Sequence, residues 1–333
     1  MFGETRCANL VRRSAGTCVS LVLAMALAEL AGAQSLADKP LRIVVPYPAG
    51  GQSDYAARIV SIKLAELLKR PIVVDNRPGA NGMVGTALVA RAAPDGATVV
   101  VGSTGTLGVL PHLQSKIPYD VLKDFTPIVN LIGGPSFLLV HPSVPVSNLR
   151  ELIALAKRQP GRLAYTSSGH GAISHMNGEL LRQLAGIDLL HVPYTSATNQ
   201  ITELIGGMVS MSFSTSVDTL QFVRAGRVRL LAVTGKQRLP MIADTPTMEE
   251  AGLPAFDSLN WNGIVGPANL PRDIVNRLNR DMVQAINSPD IIAKVAALGN
   301  YVIGDTPEQF GAFIRAESEK WGSVVRRGNF RID

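Results

Sequence analysis

Leu41-Arg42-Ile43-Val44-Val45 runs directly into Pro46-Tyr47-Pro48-Ala49-Gly50-Gly51-Gln52-Ser53-Asp54. The first five residues form a short β-branched run of the kind buried on both faces in a parallel sheet, and the two prolines end it. From Ala56 to Leu68, apolar side chains at Ile59, Ile62, Leu64, Leu67 and Leu68 keep helical spacing, with Ser53 or Asp54 placed to cap the helix. Between strand and helix, Gly50-Gly51 lets the backbone approach a ligand, and the helix start adds a positive dipole. Taken alone, the loop reads slightly better as a tight turn in which Asp54 only caps.

The same strand, loop and helix order spreads outward along the chain. Ile72-Val73-Val74 leads through a glycine-rich turn to a helix ending near Ala92, then to the strand Thr98-Val99-Val100-Val101. The pattern returns at 163–166 with 172–184 and at 189–192 with 201–205, while 209–213 leads into 217–223 and 229–233 follows. Strands apolar on both faces, alternating with helices, predict an α/β fold with mostly parallel sheets covered on both sides. After Val265 helices dominate. Pro271 opens one that reaches Ile286, and Thr306-Pro307-Glu308-Gln309 is a capping box that launches another through Trp321. Both read as elements returning to brace the first half of the chain.

At 333 residues the chain has material for two domains. A hydrophobic fraction of 46% excludes disorder, and 5% aromatics are too few for a single-strand nucleic-acid platform. The net charge of +6 comes from 32 basic and 26 acidic residues that are interspersed. No nucleic-acid or membrane stripe is therefore expected, only a mild preference for anions.

Residues 1–33 read as a signal peptide. Arg6, Arg12 and Arg13 form its basic end, an apolar run from Cys18 to Ala28 follows, and Ala31-Gly32-Ala33 predicts cleavage after Ala33. The apolar run falls short of a membrane span. Both cysteines, Cys7 and Cys18, lie inside it, so the exported chain is expected to carry no disulfide and no thiolate site. A periplasmic location follows, which makes cytoplasmic cofactors poor candidates; no cofactor and no metal is expected.

Open parallel sheets bind ligands where strand ends meet helix starts. Besides Tyr47 to Asp54, such loops are Ser103-Thr104-Gly105-Thr106, Ser167-Ser168-Gly169-His170-Gly171-Ala172-Ile173-Ser174-His175, and Ser212-Phe213-Ser214-Thr215-Ser216 with Asp218. The third lacks the last glycine of a dinucleotide loop and the Lys-Ser/Thr of a P-loop. Two such loops in each half predict a small polar ligand held between domains. No loop carries Lys or Arg, so a bound anion would rest on N–H groups, hydroxyls and helix ends, which suits a carboxylate head group better than a dense polyanion. A few such contacts, net of desolvation and closure costs, correspond to about −8 kcal/mol, a micromolar dissociation constant.

Catalytic patterns are missing: there is neither a G-x-S-x-G elbow nor H-E-x-x-H. His170 and His175 are poorly spaced for metal, and His112, His141 and His191 stand singly. His175, one turn inside the third loop, is placed either to donate to a ligand or to steady that loop. A hydrolase using Ser167 or Ser174 with His175 is a minor alternative, because no acidic partner can be named.

At these residues the chain resembles a known family. Pro46 to Gly51, with Asp54 and Ala57-Arg58, is similar to the first ligand loop of the periplasmic solute-binding proteins of tripartite tricarboxylate transporters, the Bug-type receptors. Further likenesses are Asp75-Asn76-Arg77-Pro78-Gly79-Ala80-Asn81-Gly82, His191-Val192-Pro193-Tyr194, Gly206-Gly207-Met208-Val209, Leu231-Ala232-Val233-Thr234, Thr245 to Gly252 and Trp261-Asn262-Gly263, in family order.

The resemblance implies a two-lobed Venus-flytrap fold with chain crossings near 133–137 and 256–261. Residues 34–135 with 258–333 would form lobe I, and 136–257 lobe II. It also implies ligand contacts from Tyr47, Ala49, Gly50, Gly51, Ser53, Asp54, Ser103 and Thr104 on one side. On the other it implies Ser167, Ser168, Gly169, Ala172, His175, Tyr194, Ser214 and Thr215. The family usually shows Lys-Gly after the valine-proline-tyrosine motif, where this chain has Thr195-Ser196. Near Phe213 the family often offers Asp or Asn, where Ser214-Thr215 predicts a neutral, hydroxyl-lined end. The expected function is a monomeric receptor that captures a di- or tricarboxylate or an aromatic acid and delivers it to membrane permease subunits. A ligand-sensing receptor for a membrane sensor kinase is the alternative output.

Overall fold

The computed structural model describes residues 40–329, so the signal peptide expected at 1–33 lies outside the described residues. Residues 41 onward form one compact unit containing two sheets.

The first sheet begins with β1 (Leu41–Val45), which pairs in parallel with β2 (Ile72–Asn76) and β3 (Thr98–Ser103). Leu41, Ile43 and Val45 point into one apolar core and Val44 into another, all without exposed surface, which is why this run lacks polar alternation. Helix α1 (Gln52–Leu68) and helix α2 (Met83–Ala90) complete the βα units, and the short α3 (Leu110–Leu113) follows β3. The long β4 (Phe125–Gly134) closes this part of the chain.

Only Pro135 separates β4 from β5 (Ser136–Val140), the first strand of the second sheet. There α4 (Leu149–Arg158), β6 (Ala164–Ser167), α5 (Ile173–Ala185), β7 (Leu190–Pro193), α6 (Ala197–Ile205), β8 (Met211–Thr215), α7 (Ser216–Arg224) and β9 (Arg229–Val233) alternate. The chain then returns through β10 (Asn260–Pro267), inserted between β3 and β4. Last come α8 (Arg272–Ile286), α9 (Pro289–Ala297), β11 (Tyr301–Val302) and α10 (Pro307–Gly328).

The six strands of the first sheet lie in the order β11-β4-β10-β3-β1-β2, and the five of the second in the order β7-β6-β8-β5-β9. Both sheets are mixed. The pairs joined by βα units, β1 with β2 and β3, and β6 with β7 and β8, are parallel as expected. The antiparallel pairs arise where β4, β5 and β10 carry the chain between sheets. A strand that enters a sheet from the other lobe has no crossover helix to set it parallel.

The capping box at Thr306 and Gln309 forms as expected, each side chain bonding the other's backbone N–H. The helix it starts does not brace the first sheet alone. Phe310 and Ile314 pack in a core of the first sheet, while Trp321, Val324 and Val325 pack in the core of the second beside Leu180 and Leu181. Helical periodicity shows an apolar face but not which core each turn meets, so this strap across both sheets was not legible in advance.

Candidate functional site

The ends of β1, β2 and β3 and those of β6, β7 and β8 face one cavity of about 660 Å³. Tyr47, Ala49, Gly51, Ser53 and Ser103 line it from the first sheet, and Ser168, Gly169, Ala172, Tyr194, Ser214 and Thr215 from the second. Helices α1, α5, α6 and α7 all begin at this cavity, with Gly51, Ala172, Ser196 and Thr215 as their N-caps.

These starts are not equivalent. Ser196 and Thr215 accept hydrogen bonds from their own helices, at Asn199 N and Asp218 N. Gly51 and Ala172 provide no side-chain cap. The first N–H groups of α1 and α5, one from each lobe, therefore have no side-chain acceptor of their own, which is the arrangement that receives an anion. Among the described residues no lysine or arginine lines the cavity.

Five of the expected contact residues do not line the cavity; they hold its loops. Asp54 is 4% exposed and turned inward. It accepts from Gly50 N at 3.0 Å, Arg58 Nε at 2.9 Å and Asn76 Nδ2 at 3.0 Å. Burial works to raise its pKa, but these donors outweigh it and hold the carboxyl below its ordinary value. Gly50, at φ +96°, supplies the left-handed turn that brings its N–H to Asp54. Thr104 is fully buried and donates to Leu259 O, tying the β3 loop to the returning chain.

Ser167 and His175 serve the third loop in the same way. The Ser167 hydroxyl is fully buried, donates to Gly169 O and bonds His191 Nε2 at 2.7 Å. His175 Nδ1 accepts from Gly171 N at 3.1 Å, the loop-steadying role. The rings of His175 and His191 stack at 4.1 Å, and Tyr165 stacks on His191 from the other side at 4.8 Å. Burial, then the neighbouring imidazoles and Arg182, pushes His175 down to about 2, and burial with His170 and Arg182 pushes His191 to about 4. His170, His175 and His191 thus cluster, with ligand atoms within 4.8 Å of one another, a juxtaposition hidden in sequence by the 20 positions between His170 and His191. The stacked rings and the nitrogens bonded to Gly171 and Ser167 make this cluster a scaffold under the loop. The serine–histidine pair that forms is Ser167 with His191, not with His175, and neither residue lines the cavity.

The cavity wall also holds residues that the sequence reading missed. Gln52 lies between two residues that were picked, and its Nε2 donates to Asn260 O at 3.3 Å, joining α1 to β10. Gln200 bonds Ser212 Oγ, Phe213 O and Ser214 Oγ, which organises the hydroxyl strip. Asn81 donates to His170 O across the gap between the two sheets. Asp218 lines the cavity beside Thr215, whose hydroxyl donates to its Oδ2 at 2.6 Å, so this end of the site is acidic rather than neutral. Burial pushes Asp218 up to about 6 against the opposing Thr215 bond. Asp218 was visible as the third residue of a capped helix; Asn260, on a distant strand, carried no local signal.

Likeness to known proteins agrees with this geometry. The chain is 35% identical over 96% of its length to a protein encoded in the tcbD–tcbE intergenic region of Pseudomonas sp. strain P51, covering 95% of that relative. It is 32% identical over 88% of its length to BugT of Bordetella pertussis, covering 90% of it. Among solved structures, a Rhodopseudomonas palustris protein with adipate superposes at a TM-score of 0.84 with 28% identity, covering 88% of this chain and 98% of that one. MatC of the same organism, with bound malate, superposes at 0.81 with 31% identity, covering 86% and 99%. The model of the tripartite tricarboxylate transporter family receptor, TctC, matches residues 56–330, and the chain belongs to that family of periplasmic solute-binding receptors.

Proposed function

We propose that this receptor captures a small carboxylate between its two lobes and delivers it to a tripartite tricarboxylate-type permease. The observation that carries the reading is the pair of uncapped helix starts, at Gly51 and Ala172, that meet one cavity from opposite lobes with no cationic side chain between them. Each helix end contributes about 0.3–1 kcal/mol toward an anion, and each charge-assisted bond about 1.5–3 kcal/mol. Carboxylates bound by the adipate- and malate-bearing relatives support the ligand class.

In this reading lobe I is 34–135 with 258–333, lobe II is 136–257, and the signal peptide is removed after Ala33. Tyr47, Ala49, Gly51, Ser53 and Ser103 meet the ligand from lobe I. Ser168, Gly169, Ala172, Tyr194, Ser214 and Thr215 meet it from lobe II. Gly50, Asp54, Thr104, Ser167 and His175 position those loops. Ligand favours the closed arrangement because only there do both helix starts reach it.

A calorimetric screen of the purified protein, unfolded and refolded to remove carried-over ligand, tests this against C2–C8 mono-, di- and tricarboxylates, aromatic acids and amino acids. Binding of one acid class, recovered chemically unchanged, is expected. Turnover of the ligand, or no binding of any carboxylate, contradicts the proposal. Delivery is tested by ligand uptake in cells lacking the receptor gene; uptake equal to that of the parent strain contradicts it.

A further inference from the structure

We infer that the end of the cavity nearest the chain crossings is an acceptor subsite for a protonated amine, formed by Asp218 and Gln52, so that the ligand carries an ammonium as well as a carboxylate. This rests on the reading of the cavity as a carboxylate site.

Both residues border the crossings, from opposite lobes. Thr215, which bonds Asp218, pairs with Ser136, next to Pro135. Asn260, which accepts from Gln52, pairs with Gly134 on the other side of that proline. Each residue brings an acceptor group to this end of the cavity. The amide Oε1 of Gln52 has no partner although the residue is only 6% exposed. Asp218 accepts from Thr215 at Oδ2, and no lysine or arginine lines the cavity beside it among the described residues. A buried acceptor left open, as at Gln52, costs free energy unless a donor arrives.

The charge pattern of the wall selects the kind of donor. Tyr47, Tyr194 and His170 are the other titratable groups on it, and no lysine or arginine is among them. A second ligand carboxylate placed beside Asp218 would meet a like charge with no cation to offset it. An ammonium there instead completes an ion pair, while the ligand's carboxylate occupies the uncapped starts of α1 and α5. Burial, which pushes Asp218 up to about 6, leaves it largely ionised but poorly solvated at neutral pH, the state that a cationic partner relieves.

The test uses matched acids of equal length: glutarate against glutamate and 5-aminopentanoate, and adipate against 6-aminohexanoate, each titrated calorimetrically into wild-type protein and Asp218→Asn. At least one amine-bearing acid is expected to bind at least tenfold more tightly than its dicarboxylate counterpart. Asp218→Asn is expected to weaken that acid at least thirtyfold while leaving the dicarboxylate unchanged or improved. Dicarboxylates that bind more tightly than every amine-bearing partner, or an Asp218→Asn protein with unaltered affinity for the amine-bearing acid, overturn the inference and leave the carboxylate reading standing. If none of the acids in the wider screen binds, both readings fall. The wild-type comparison needs no variant, so the outcome does not depend on how Asp218→Asn folds.

Discussion

Trp261 and Trp321 donate their indole N–H groups to the same carboxylate oxygen, Glu317 Oε2, each at 3.1 Å. Trp261 lies on β10 just after the chain returns to the first sheet, and Trp321 is packed in the core of the second. Glu317, 5% exposed and also paired with Lys320, is therefore the polar pin between returning strand and strapping helix.

Removing that pin leaves two buried donors unpaired. Glu317→Ala should lower the free energy of unfolding by about 2–6 kcal/mol, since each orphaned buried group costs about 1–3 kcal/mol. Glu317→Gln, which keeps one acceptor oxygen, should cost clearly less. Denaturant unfolding of the three proteins at neutral pH measures the order, and equal losses for both variants would show that the carboxylate is not the common acceptor.

A side chain at position 51 tests the cavity directly. A Cβ there meets no atom within 4 Å, and the backbone needs no left-handed conformation at that residue. Gly51→Val should fold with an unchanged melting temperature, within about 0.5 kcal/mol, yet lose at least tenfold in ligand affinity because its methyl groups enter the space where the α1 start meets the anion. Unaltered binding by calorimetry would remove α1 from the site.

The bond from Asn81 to His170 O exists only while the two lobes meet. Asn81 sits at φ +54°, so Asn81→Gly removes the side chain without straining the backbone. A neutral hydrogen bond contributes about 0.5–1.5 kcal/mol, so ligand affinity should fall roughly 2- to 12-fold through a smaller closed population. Global stability should stay nearly unchanged. Small-angle scattering of the ligand-free and ligand-saturated variant would report the shift; an affinity equal to that of wild type would exclude a latch.

Asp218 makes stability depend on pH with a defined sign. Its carboxyl is raised from 3.8 to about 6 by burial, so ionisation is disfavoured in the folded state. The stabilising contribution is fully present below the unfolded value near 3.8 and is lost as pH rises through about 6. Ligand-free Asp218→Asn lacks this loss. Relative to wild type it should gain stability between pH 4 and 7, by at most about 3 kcal/mol. Parallel unfolding curves for the two proteins across that range would contradict the raised carboxyl.

Much of the local structure was legible from residues. Leu41–Val45 lacks polar alternation because both its faces are covered, and Thr306 with Gln309 writes a helix start into four positions. Each depends on neighbours within a turn or a pleat, so composition and spacing carry the information. The glycine and hydroxyl loops were legible for the same reason: a backbone that must turn sharply at a strand end needs Gly50, and a helix that starts there needs a cap or an anion.

Roles within those loops were less legible. Asp54 was expected either at the ligand or as a helix cap; it holds Gly50, Arg58 and Asn76, because three donors converge on it from separate elements. Asp218 was noted at the end of its loop but not counted as a contact; β8 and the crossing at Pro135 bring it to the cavity.

The sequence by itself determined the alternation of strands and helices, the glycine and hydroxyl loops and the absence of basic side chains in them, since these follow from local periodicity, turn chemistry and composition. Only the tertiary structure decided that α10 straps both cores, that Trp261 and Trp321 share Glu317 across 56 and 4 positions, and that Gln52 meets Asn260 across 208. Those pairings depend on how strands cross between two sheets. That choice is made cooperatively by whole cores, so no single stretch of residues encodes it.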